Sequence, residues 1–161
     1  NSGLKKINHS YLGQPLELLH PLHQDLYDYW CQITPSGRLP GRQHLDPLDI
    51  PRLLRWVILL NVDRTDGNIR FHFRLMGTGA ANRSGGDATG LWLEEAAGVE
   101  QFQFLNNKLR SVVTSGKPIR YINHSRIKTK EHIAIDTLAL PLAGDGGTVD
   151  MQLLLNVEPL A

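Results

Sequence analysis

Asp46-Pro47-Leu48-Asp49-Ile50-Pro51, the run Val57-Ile58-Leu59-Leu60-Asn61-Val62-Asp63 and the strand end Phe71-His72-Phe73-Arg74-Leu75-Met76-Gly77-Thr78 decide how this chain is read. In the first, the Asp carboxylates can accept the free N–H groups of a helix's first turn, where Pro loses nothing by lacking one. A short helix over Pro51 to Trp56 is expected. The apolar run after it has the length of a strand, and Asp66-Gly67 reads as a hairpin turn. The second strand, Ile69 to Met76, alternates: Ile69, Phe71, Phe73 and Leu75 toward a core, Arg70, His72 and Arg74 away from it.

Working outward, residues 1–19 have no clean period and are interrupted by Gly13 and Pro15, so a flexible arm is expected there. Between Pro21 and Ile33, Leu22, Leu26, Tyr29, Trp30 and Ile33 recur at three- and four-residue steps and define one helical stripe. Beyond the hairpin, Thr78 to Gly98 is rich in Gly, Ala, Asn and Asp and predicts short helices and turns. A longer helix follows over Glu100 to Ser115, closed by Gly116 and Pro118. Ile119 to Ile127, His132 to Leu142 and Val149 to Val157 read as strands, with Asp145-Gly146-Gly147 as the last turn. This order predicts an α+β domain over residues 20–161 with one five-stranded antiparallel sheet.

Composition narrows the function. At 161 residues and 41% hydrophobic, the chain can bury one core. A net charge of +1 lacks the basic excess that phosphate backbones require, so no nucleic-acid partner is expected. The single cysteine, Cys31, cannot form an internal disulfide, and no run is long and apolar enough to lead or cross a membrane. A cytoplasmic location is expected.

The quoted segments, with Gly86-Asp87-Ala88-Thr89-Gly90-Leu91-Trp92-Leu93-Glu94-Glu95 and the late Leu140-Pro141-Leu142-Ala143-Gly144-Asp145-Gly146-Gly147, resemble the PAS domain over roughly residues 22 to 158. The likeness is to short stand-alone bacterial PAS-like proteins that carry the Asp-Pro-x-Asp-Ile-Pro motif. It implies an antiparallel sheet with helices on one face, an extra N-terminal helix, and a role as a sensor or interaction module in bacterial signal transduction. A ligand of such a fold lies between the sheet and the helices. The implied lining is Phe71, Phe73, Leu75, Trp92, Phe102, Leu105, Tyr121, Asn123 and Ile135, with Arg74 and Lys108 as an anion clamp at the rim. This set suits a small, largely apolar molecule. Flavin-photoadduct relatives need a Cys in the helical region after the first hairpin, whereas Cys31 lies upstream. Haem-binding relatives commonly use a His on the long helix, and Glu100 to Ser115 contains none. The cofactor stays unassigned, and a separate signalling protein is a further candidate partner.

Other motifs compete with this reading. Gly77-Thr78-Gly79-Ala80-Ala81-Asn82 follows a strand and opens a helix, as a dinucleotide site does, but lacks the third glycine; a structural turn is expected. His20 and His23 share a helix face with no further ligand nearby, so capping or solvent-facing roles are expected rather than a metal site. Asp136 stands on an apolar strand. In an apolar pocket it would serve as the base of a small α+β isomerase or hydrolase; otherwise it faces solvent beside His132. With no nucleophile elbow or zinc helix in the chain, a non-enzymatic module is expected, and an interaction module with a filled core is the other alternative. The stripe Leu22, Leu26, Tyr29, Trp30 belongs to a helix outside the core, and a homodimer packed through it is expected.

Overall fold

The structure, a computed structural model, describes residues 16–127 and 130–160, with backbone alone for 125–127 and 130–133. The arm expected over 1–19 therefore lies largely outside the described residues. In chain order the elements are α1 (Pro21–Ile33), β1 (Val57–Thr65), β2 (Asn68–Met76), α2 (Thr78–Ser84), α3 (Leu93–Ala96), α4 (Val99–Ser115), β3 (Ile119–Ile127), β4 (Lys130–Leu142) and β5 (Met151–Val157). The five strands form one antiparallel sheet in the order β2-β1-β5-β4-β3.

Strand alternation divides the core in two. Val57, Leu59, Leu138, Leu140, Leu142, Leu153 and Leu155 face α1. Ile58, Leu60, Phe71, Phe73, Tyr121, Ala139 and Leu154 face α2 to α4. Because β1, β4 and β5 are buried on both faces, their apolar runs are nearly continuous rather than alternating.

The α1 stripe is covered by the chain itself. Leu26, Tyr29 and Trp30 are buried and Leu22 is half-buried against the sheet. The premise for a homodimer through Leu22, Leu26, Tyr29 and Trp30, an uncovered apolar face, does not hold: the face is part of the core. Polar bonds fix the same helix. Trp30 Nε1 donates to the Pro141 carbonyl at 3.0 Å, and the Tyr29 hydroxyl donates to Asp49 Oδ2 at 2.9 Å while accepting the Asp46 N–H at 3.0 Å.

The helix expected over Pro51–Trp56 is replaced by a turn over 51–53 and the 3₁₀ turn Leu54–Trp56, and a further 3₁₀ turn, Pro47–Asp49, precedes them. Asp46 Oδ1 does accept the Leu48 N–H, at 3.0 Å. With Pro47 and Pro51 both lacking an N–H, however, the segment closes through shorter bonds such as Leu53 N to Ile50 O.

Gly77 and Gly79 are structural, as expected of the turn. A Cβ on Gly77 would strike the backbone of Leu54 and Arg55, and one on Gly79 would lie 2.7 Å from the Trp56 ring.

Candidate functional site

Between the inner face of the sheet and α2 to α4 lies a cavity of about 300 Å³, at the small end of the range that holds small-molecule ligands. Its floor is the inward parity of all five strands: Ile58 and Leu60 of β1, Phe73 and Met76 of β2, Tyr121 and Asn123 of β3, Ile135 of β4, and Leu154 and Asn156 of β5. The opposite wall is Leu91, Leu93, Ala96, Ala97, Gln101, Leu105 and Leu109, and the segment Ser84 to Ala88 borders it.

Backbone bonds hang part of that wall on the free edge of β2. Phe73 donates to the Leu91 carbonyl at 2.9 Å, and Gly90 donates to the Phe73 carbonyl at 2.8 Å. Asp87 prepares the segment by accepting the Thr89 N–H and hydroxyl at 3.0 and 2.7 Å, bonds that pull its carboxyl below the ordinary range. Residues 91 and 93 thereby enter the cavity.

Of the nine expected lining residues, Phe73, Leu105, Tyr121, Asn123 and Ile135 line it. Phe71 is buried in the same core and Phe102 half-buried against it, both outside the lining. Leu75 points the other way and is 47% exposed. The cause is a β-bulge: Leu60 pairs with Phe73 but Leu59 with Leu75, so Arg74 is the extra residue, and Met76 enters the cavity in place of Leu75. Trp92 pairs with His72 and so lies on the face opposite the cavity. There it meets the His72 ring at 5.0 Å between centroids and lies under the Arg70 guanidinium at 3.8 Å.

The expected anion clamp is not at this site. Arg74 is exposed on the bulge, and the Lys108 ammonium sits 5.6 Å from the Phe104 ring centroid. Among the described residues the lining carries two carboxylates, Asp87 and Glu95, and no basic side chain. That polarity disfavours an anionic guest.

Asp136 faces neither the cavity nor solvent. On the outward parity of β4 it is buried, and its two oxygens accept from Arg120 Nε and Nη2 at 2.8 and 2.7 Å. A carboxylate so committed is not a base for a guest on the other side of the sheet, and the isomerase or hydrolase reading loses its residue. His20 caps α1, its Nδ1 accepting the Leu22 N–H at 3.1 Å, while His23 is buried rather than solvent-facing. Cys31 lies on α1, across the sheet from the cavity, and burial pushes its thiol up to about 11.

The polar groups on the floor form a row. Thr137 of β4 donates to Asn156 Oδ1 at 2.8 Å, and burial raises the Tyr121 hydroxyl on the neighbouring strand above its ordinary value, with Thr137 acting in the opposite sense. Sequence reasoning did not pick out Asn156. Its signal was present: it interrupts the apolar residues of Leu153-Leu154-Leu155-Asn156-Val157, where an amide needs a reason to be buried.

A family model described as a PAS domain matches residues 18–155. Among solved structures, a variant of Vivid is 13% identical, covering 89% of this chain and 99% of that one with a TM-score of 0.51. The PAS domain of a protein from Colwellia psychrerythraea is 14% identical over 71% of this chain and 98% of that one, with a TM-score of 0.50. The light-state structure of the blue-light photoreceptor Aureochrome1 LOV is 10% identical over 70% and 87%, with a TM-score of 0.51. At these identities the likeness is one of fold. No curated protein matches the sequence.

Proposed function

The chain belongs to the PAS domain family, and from that premise we propose that it is a sensory or regulatory module which holds a small, largely apolar, non-anionic ligand between its sheet and helices α2 to α4. PAS domains are in general signalling modules rather than enzymes. The observation that carries the proposal is the cavity itself: about 300 Å³ lined by Phe73, Met76, Leu93, Leu105, Leu109 and Leu154, with Tyr121, Asn123 and Asn156 as orienting polar groups. A filled interaction module would have packed this space. The structural neighbours include a blue-light photoreceptor. Here the cysteine lies across the sheet from the cavity with its thiol held protonated, which does not favour adduct chemistry with a guest. The output element in this reading is α1, because Ile135 of β4 touches the cavity while the adjacent Asp136 faces α1.

A thermal-shift screen of apolar metabolites on the full chain tests this. A ligand at a hundred times its dissociation constant should stabilise the protein by about 2.7 kcal/mol. The gain should vanish in Leu105→Trp, which fills the cavity, and weaken in Asn156→Leu. A shift that survives both variants would place the site elsewhere.

A further inference from the structure

On the other face of the sheet, one polar ring of α1 is sealed inside the molecule. His23 is fully buried, and its Nε2 stands 3.0 Å from the Leu155 carbonyl of β5. A carbonyl only accepts, so Nε2 carries the hydrogen and Nδ1 of the neutral ring is a bare lone pair. Among the described residues that atom has no hydrogen-bond partner. It lies 3.9 Å from Asp136 Oδ1, outside hydrogen-bond reach.

The carboxylate it faces is already neutralised by Arg120 through two short bonds. A proton on Nδ1 would therefore set two cations against one carboxylate, in a place from which water is excluded. The described groups bearing on the ring are His20 of α1 at 5.7 Å between centroids, Arg120 of β3, Asp136 of β4 and the Leu155 carbonyl of β5. Burial is the largest influence and opposes protonation, as do His20 and Arg120. Asp136 and the Leu155 carbonyl favour it but do not prevail, and the ring is held below its ordinary value. Further out, Arg83 acts on His20 and Glu17 on Arg120.

We propose that the proton is a second input to this module: His23 is a latch that holds α1 on the sheet while neutral and releases it when protonated. A ring whose value is lower docked than undocked contributes its full stabilisation above the undocked value, about 6.5, and loses it as pH falls through the docked one. Within that window one proton weakens docking by up to about tenfold per pH unit. Of the other anchors of α1, Trp30 to Pro141 and Tyr29 to Asp49 are held by an indole and a phenol, which do not titrate there, whereas the His20 cap is a second imidazole that loses its acceptor on protonation.

The latch is independent of any ligand in the cavity. Hydrogen-exchange protection of α1 and the Trp30 indole N–H signal, followed in the full chain from about pH 7.5 to about pH 5, test it. Protection in the wild type should fall by up to about tenfold per unit below about 6.5. His23→Gln, whose amide can still donate to Leu155, should lose the larger part of the slope and keep only what the His20 cap contributes, and His20→Asn, which keeps a capping side chain without a titrating ring, should retain the larger part. An equal slope in His23→Gln, or none in the wild type, overturns the proposal. Should His23→Gln not fold, the imidazole nitrogen shifts of the wild type decide. An Nε2–H ring titrating below 6.5 supports the latch; an Nδ1–H ring, or a midpoint at or above 6.5, overturns it.

Discussion

The Tyr29 hydroxyl and the Asp49 carboxylate, 2.9 Å apart, join the N-terminal helix to the Asp-Pro-x-Asp-Ile-Pro segment. The same hydroxyl accepts the Asp46 N–H, so one atom organises both. Tyr29→Phe should keep the ring's packing and leave that N–H and the carboxylate without their partner. A loss of about 1–3 kcal/mol is expected in urea denaturation.

The bulge at Arg74 predicts a sharp contrast between two neighbouring apolar positions. Phe73→Ala empties a buried site and should cost about 3–5 kcal/mol, whereas Leu75→Ala, at a half-exposed position, should stay within about 1 kcal/mol. Denaturation midpoints of the two variants measure this. Equal losses would mean that β2 runs in simple alternation.

Gly77→Ala should be poorly tolerated, because the added methyl meets the backbone of Leu54 and Arg55, which cannot rotate away. A penalty of at least about 1–3 kcal/mol is expected. At Gly98, where nothing lies within 4 Å of an added Cβ, alanine should change the melting temperature little.

Two ion pairs of similar distance should differ widely in worth. Arg120→Ala strands the buried Asp136 carboxylate and should cost about 3–5 kcal/mol. The Arg70–Glu94 pair, 3.0 Å apart but 44% and 39% exposed, should contribute about 0–1 kcal/mol and weaken further in salt. Chemical denaturation of Arg120→Ala and Glu94→Ala at low and high ionic strength separates them.

The same particulars show where the sequence could be read and where it could not. The order of elements, the hairpin at Asp66-Gly67 and the inward parity of Phe73, Tyr121, Asn123 and Ile135 follow from period, turn chemistry and the pleat. Leu75 was lost to a bulge, which no glycine marks. Trp92 was misjudged because aromatic character argues for a core, while its pairing with His72 and its place under Arg70 put it on the other face. The α1 stripe was legible as a stripe, but periodicity defines an apolar face without saying what covers it. Asp136 illustrates the same limit for charge: its ion pair with Arg120 spans 16 residues of sequence and exists only through the β3–β4 register.

The strap from Gly90 to Trp92 has a consequence for how this molecule can associate. A sheet with two open rims can be extended from both, which is the geometry of a growing fibre. Here the rim at β2 is occupied at its middle by the chain's own backbone, through Phe73, and any incoming strand would first have to displace it. Of the two terminal strands, β3 is the one without such a plug among the described residues. Strand addition confined to one rim would be self-limiting: two copies meeting there would use up the one rim left open among the described residues, and growth would stop at a pair.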